Sequence, residues 1–102
     1  MALELRPTCE HCNKALPPAA VDARICSFEC TFCAACVGLL GNVCPNCGGG
    51  FAPRPIRPKT AWRPGVGRGH QPPSAKRVHL SFGQTEIRAF SVGIKDIAPE
   101  DR

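Results

Sequence analysis

Apolar and polar positions alternate most clearly near the C-terminus of this chain. "VHLSF" sets Val78, Leu80 and Phe82 on one side, and "IRAFSVGI" sets Phe90, Val92 and Ile94 at period two. With "GQTE" able to turn between them, the pattern predicts a β-hairpin within residues 78–102, closed by the polar terminus "KDIAPEDR". A lone hairpin is marginally stable in water, so this one must dock on the rest of the chain, pair with a second copy or fray. Upstream, "AACVGLL" predicts one short helix from Ala34 to Leu40, stopped by Gly41-Asn42. The stretch from Ala52 to Arg77 holds six prolines and three glycines, which prevent helix and deprive a sheet of donors. Residues 53–77 therefore predict an extended, disordered linker.

The first half is short of core. Residues 1–52 offer thirteen larger apolar side chains besides cysteine: Met1, Leu3, Leu5, Leu16, Val21, Ile25, Phe28, Phe32, Val37, Leu39, Leu40, Val43 and Phe51. A core this small is marginal against the entropy of ordering fifty residues and calls for a staple. Phe28 and Phe32 are the expected centre of it. Leu39 and Leu40 cannot both point inward from one short helix, so one of them is expected on the surface for a partner to cover.

Composition changes near residue 52. Residues 1–52 carry three basic and four acidic residues, a net of −1, and all eight cysteines. Residues 53–102 carry ten basic and four acidic residues, a net of +6. Within the linker seven basic residues meet no acidic one (Arg54, Arg57, Lys59, Arg63, Arg68, Lys76, Arg77). The start, "MALELRPTCEHC", has no apolar core of signal-peptide length, and no run is long enough to cross a bilayer. The expectation is a cytoplasmic protein with no membrane association. In that compartment thiols stay reduced, and clustered cysteines mean metal or redox chemistry rather than a disulfide framework.

The cysteines run Cys9-x2-Cys12-x13-Cys26-x3-Cys30-x2-Cys33-x2-Cys36-x7-Cys44-x2-Cys47. Two-residue gaps let both sulfurs of a pair reach one ion from a tight turn. Gly48 after "CPNC" and Asn13 after "CEHC" can take the left-handed backbone that turns amides toward sulfur. Eight thiolates make two closed tetrahedral sites with none left over, and zinc is the metal that prefers them. A structural zinc site supplies about 10–16 kcal/mol of folding energy, which is the missing staple.

Four pairs can share two ions in three ways. Joining 26/30 with 33/36 crowds four sulfurs from eleven residues onto one ion. A sequential arrangement joins 9/12 with 26/30 and 33/36 with 44/47. An interleaved one places Cys9, Cys12, Cys33 and Cys36 in site 1 and Cys26, Cys30, Cys44 and Cys47 in site 2. Interleaving ties distant segments together and suits a chain with little core. His11 is surplus to eight sulfurs and is expected as an exposed turn residue. Asp22 and Glu29 have no nucleophile-and-base arrangement around them, and closed sites leave no position to activate water, so no enzyme is expected.

The order and gaps resemble the RING-finger cross-brace, with "CTFCAACVGLLGNVCPNC" at the centre of the motif and Phe32 where those domains carry a core aromatic. The resemblance implies the interleaved pairing. It also has departures: His11 stands between the first two ligands where ubiquitin ligases carry an apolar residue, only Val37, Leu39, Leu40 and Val43 occupy the stretch where they often place tryptophan, and Gly48 follows the last ligand in place of a basic residue. The scaffold carries over, the conjugating-enzyme surface does not. Residues 1–52, from "MALELRP" through "ICSFECTFC" to "CPNCGG", also resemble an uncharacterised bacterial family of short cysteine-rich proteins, which implies zinc binding and no activity.

The expected fold is thus a small zinc-stabilised domain (residues 1–52), RING-like, with two four-cysteine sites and one short helix. A basic Pro/Gly-rich linker (53–77) and a β-hairpin with a polar terminus (78–102) follow. The expected function is a non-catalytic adaptor for a protein partner. A first alternative is nucleic-acid binding through residues 53–77, with Trp62 stacked on a base; a second is a thiol redox switch that releases zinc. Four thiolates around Zn²⁺ carry a net −2, so two loaded sites would take the head to about −5 and draw the basic tail toward it.

Overall fold

The structure, a computed structural model, describes residues 2–102; Met1 lies outside the described residues. Strand β1 (Ala23–Ile25) turns through Cys26–Cys30 into β2 (Thr31–Cys33), pairing antiparallel with Arg24 opposite Phe32. Glu29 closes that turn at φ 66°, a conformation unusual for a side chain larger than Asn. Strand β3 (Ala52–Pro53) joins the other edge of β1, giving the order β2-β1-β3. Pro53 sits on an edge strand, where its missing N–H is tolerated.

Helix α1 (Ala34–Leu39) leaves directly from β2. Gly41 at φ 64° and Asn42 at φ 59° then stop it, at the place the Gly-Asn pair predicts. Leu40 is buried, and Leu39 is 78% exposed on the outer side of the helix. Phe32 is fully buried and meets Phe51 edge to face at 5.2 Å. Phe28 departs from expectation. It is 70% exposed, because its turn carries Cys26 and Cys30 inward and leaves the residues between them outside. Cysteines complete the core beside Leu16, Ala23, Phe32 and Leu40.

Where alternation predicts a hairpin, the chain forms helix α2 (Gln84–Ile94). Phe90 and Ile94 are four apart and share a helical face as readily as a strand face. Ile87 and Ser91 extend that face and are buried, while Val92 is 60% exposed. Glu86 in the first turn accepts from the Gly83 N–H at 3.5 Å, which caps the helix and suits its dipole. A helix satisfies its own backbone, whereas a two-stranded hairpin needs a third partner. α2 docks on the cysteine-rich half: Ser91 Oγ donates to Leu40 O at 2.6 Å, and Phe90 and Ile94 lie over Gly48.

The linker forms no helix or strand beyond Pro53, as its prolines dictate, yet it is bound along its length. Arg54 is 4% exposed and donates to the carbonyls of Arg6, Leu16 and Pro17. Arg57 donates to Leu3 O and Gln71 O. Ser74 N donates to Leu5 O, and Leu80 N to Glu10 O, so the tail runs beside the N-terminal segment before entering α2. Arg102 then reaches Asn42 O at 2.8 Å. The contacts that hold it are hydrogen bonds to carbonyls rather than ion pairs. Among the described residues the ion pairs are Arg6–Glu4, Arg6–Glu10 and Lys14–Asp22, all within the first half.

Gly41 is the tightest point of the α1–α2 approach. A β-carbon there would sit 3.2 Å from both Lys95 Cβ and Ser91 Oγ, on a left-handed backbone. Gly41→Ala is expected to lower stability by about 1–2 kcal/mol in denaturant unfolding of the metal-loaded protein. Gly38→Ala, with nothing within 4 Å of the added carbon, is expected to raise stability by up to about 1 kcal/mol.

Candidate metal centre

Three of the four cysteine pairs sit in turns that aim backbone N–H groups at a sulfur. In the first turn the N–H groups of His11 and Cys12 face Cys9 Sγ at 3.4 and 3.5 Å, with Asn13 at φ 64°. In the second, Phe28 N–H faces Cys26 Sγ at 3.4 Å. In the fourth, Gly49 N–H faces Cys47 Sγ at 3.4 Å, with Gly48 at φ 80°. The third pair comes from regular structure: Cys33 ends β2 and Cys36 lies on the inner face of α1.

These turns bring the sulfurs of Cys9, Cys12, Cys33 and Cys36 within 4.8 Å of one another, and those of Cys26, Cys44 and Cys47 likewise. The pairs therefore alternate along the chain. Four sulfurs each about 2.3 Å from one ion stand about 3.8 Å apart along a tetrahedron's edges. Cys12 and Cys33 are separated by 3.7 Å, which fits. Cys30 falls outside the three-sulfur group. It is buried beside Cys26, whose N–H donates to its carbonyl, and its sulfur faces the Asn46 amide at 3.5 Å. All eight cysteines are free thiols.

Crowding makes such sulfurs hard to charge alone. The Cys44 thiol donates to Cys26, which pulls the Cys26 pKa down to about 5 against burial and pushes Cys44 far up. Burial likewise raises Cys36, with Cys33 and Cys12 beside it. The Cys26 thiolate is stabilised at the expense of Cys44, and a divalent cation would relieve that conflict.

Glu10, Asn46 and Gln84 escape notice in the sequence. Glu10, between Cys9 and His11, is 1% exposed; it accepts from Thr31 N at 2.6 Å, pairs with Arg6 at 2.7 Å and accepts from Asn46 at 3.3 Å. It thereby joins the first turn to β2 and, through Asn46, to Cys30. His11 is not simply exposed: its Nδ1 lies 3.2 Å from Cys36 Sγ, and its Nε2 meets the Gln84 side chain at the start of α2. Nothing in residue type or spacing marks Asn46 or Gln84 for these contacts. Asp22 pairs with Lys14 at 2.5 Å, and Glu29 accepts from Glu4 N.

This geometry defines a cysteine-rich protein with two sulfur clusters able to hold metal ions, one short helix beside them and a small sheet. Residues 2–57 match the family described as "Protein of unknown function (DUF1272)"; that is more than half of the chain, and the chain belongs to this family. It is 60% identical over 57 residues to an uncharacterized protein of Rhizobium meliloti (strain 1021), an alignment spanning 55% of this chain and 68% of that one. No solved structure matches. The family segment includes all eight cysteines, the sheet and Arg54, and it stops short of Trp62 and α2. Among the described residues no helix is long and apolar enough to cross a membrane.

Proposed function

We propose that this chain binds two zinc ions in a RING-like cross-brace and works as a non-catalytic adaptor in the cytoplasm. Site 1 is Cys9, Cys12, Cys33 and Cys36. Site 2 is Cys26, Cys30, Cys44 and Cys47, with the Cys30 sulfur swinging from Asn46 toward its three partners. The supporting observation is the donor set. Clustered thiols in tight turns, with backbone N–H groups aimed at sulfur, suit zinc, and a second site completed by Cys30 would leave no open position for water. Reduced thiolates also fit a reducing compartment.

Native mass spectrometry with and without chelator tests the metal reading. Two zinc ions per chain are expected, and one or none would refute it. The adaptor reading rests on Leu39, 78% exposed at the rim of a cleft of about 410 Å³ between α1 and α2. Leu39→Glu is expected to keep both zinc ions and the unfolding midpoint while abolishing cross-linking to a partner in the host cell. Unchanged cross-linking would move the interface elsewhere.

A further inference from the structure

Residues 58–71 are folded, in spite of their composition. Arg68 N donates to Pro58 O at 2.9 Å and closes the loop. Gln71 ties its middle: its Oε1 accepts from Gly67 N at 3.0 Å and its Nε2 donates to Gly65 O at 2.9 Å. Gly67 takes φ 135°, and a β-carbon there would meet Pro58 O at 3.3 Å, so a larger residue at the crossing would be strained and crowded. Arg57 fastens the base of the loop to Leu3 O.

Such a scaffold holds Trp62 out into solvent. The indole is 80% exposed and beside a cleft of about 570 Å³ whose walls include Pro58, Val66 and Arg63. Among the described residues its ring stacks on no other aromatic, the one aromatic pair being Phe32–Phe51. Arg63 lines the same cleft, Lys59 and Arg68 belong to the same loop, and none of the three forms an ion pair among the described residues. Arg68 Nε is buried without a hydrogen-bond partner. No acidic residue occurs from Ala52 to Val78. The arginines that bind the head spend their donors on carbonyls, which leaves this second basic set uncommitted.

An exposed indole on a self-bonded loop that also carries three cations outside any ion pair is matched by a ligand that alternates flat aromatic faces with phosphates. We propose that the loop 58–71 is a binding site for single-stranded nucleic acid, in which Trp62 stacks on a base and Lys59, Arg63 and Arg68 neutralise the flanking phosphates. The loop's internal hydrogen bonds hold Trp62 ready and reduce the ordering cost of binding. A base-free polyanion would use the cations alone, and an acidic peptide would leave the indole unstacked. The site lies outside the family segment and does not depend on the adaptor reading.

Trp62 is the only tryptophan and the chain has no tyrosine, so its emission reports the site directly. The full-length, zinc-loaded protein is titrated with oligo(dT) and oligo(U) of twenty nucleotides, and separately with heparin and with anionic phospholipid vesicles. Saturable quenching by either oligonucleotide is expected, with log K falling against log salt at a slope of roughly −2, the value for about three phosphates. Anisotropy of a labelled oligonucleotide then follows the variants. Trp62→Ala should weaken binding about 5- to 150-fold, Trp62→Phe much less, and Arg63→Glu should flatten the salt slope. Zinc content and far-UV dichroism of each variant verify the fold. Absence of oligonucleotide binding at low salt overturns the proposal. So does Trp62→Ala binding as the parent does, heparin quenching equal to that by oligonucleotide, or a response to vesicles alone.

Discussion

Cys33→Ser is expected to release both metal ions and to abolish cooperative unfolding, not to halve either. Cys33 ends β2, opposite Ala23 of β1, and its sulfur stands 3.7 Å from Cys12. Losing it opens the cluster that holds the first turn to β2 and α1. The segment between these elements contains Cys26 and Cys30, and the segment after them contains Cys44 and Cys47, so the second cluster loses its frame as well. A structural zinc site contributes about 10–16 kcal/mol, more than the whole net stability of an ordinary small domain. No apolar reserve replaces it, since cysteines make up much of the core itself. Titration of released zinc with a chromogenic chelator, alongside dichroism, measures both effects. A variant that keeps one ion and a native-like spectrum would show the two halves to be independent.

Arg54→Ala is expected to destabilise the metal-loaded protein by about 3–5 kcal/mol. The guanidinium is buried and feeds three carbonyls, those of Arg6, Leu16 and Pro17, from one side chain. Each buried acceptor left without a donor costs about 1–3 kcal/mol, and a cavity adds to that. Burial also lowers the Arg54 pKa, with Arg57 adding to the effect, but the group stays charged at any physiological pH. Arg54→Lys keeps the charge and lacks the planar fork, so it should recover only part of the loss. At about 4–8 °C per kcal/mol, thermal unfolding resolves the series easily. A change under 1 kcal/mol would mean that water can replace the guanidinium. Arg63→Ala, whose side chain is exposed, is the control and should change stability little.

The cysteine frame was the most legible part of this chain, apart from Cys30, which stands outside the three-sulfur group. Ligand chemistry tolerates few spacings, and the residues that follow the turns, Asn13 and Gly48, take the backbone angles their positions require. Helix α1 and its stop at Gly41-Asn42 were legible for the same local reason. α2 was not. Phe90 and Ile94 satisfy both a two-residue and a helical period, and the decision falls to Ile87 and Ser91, whose burial depends on Leu40, far away in sequence. Phe28 misled because aromatic residues are usually buried, whereas this one occupies a turn already committed to placing two sulfurs. Arg54 was hidden in a run of similar residues. Composition marks the run as basic and proline-rich, and only the fold separates the arginine that serves packing from those left free in solvent. Glu10, Asn46 and Gln84 act through contacts that no spacing rule anticipates.

Alternation of the sulfur groups has a consequence during synthesis. The first group is complete once Cys36 has left the ribosome, but the second waits for Cys47. A nascent chain therefore passes through an interval in which Cys26, with Cys30 beside it, is made but cannot close with Cys44 and Cys47. Those thiols are open to oxidants, and to wrong pairing with one another, until the last turn emerges.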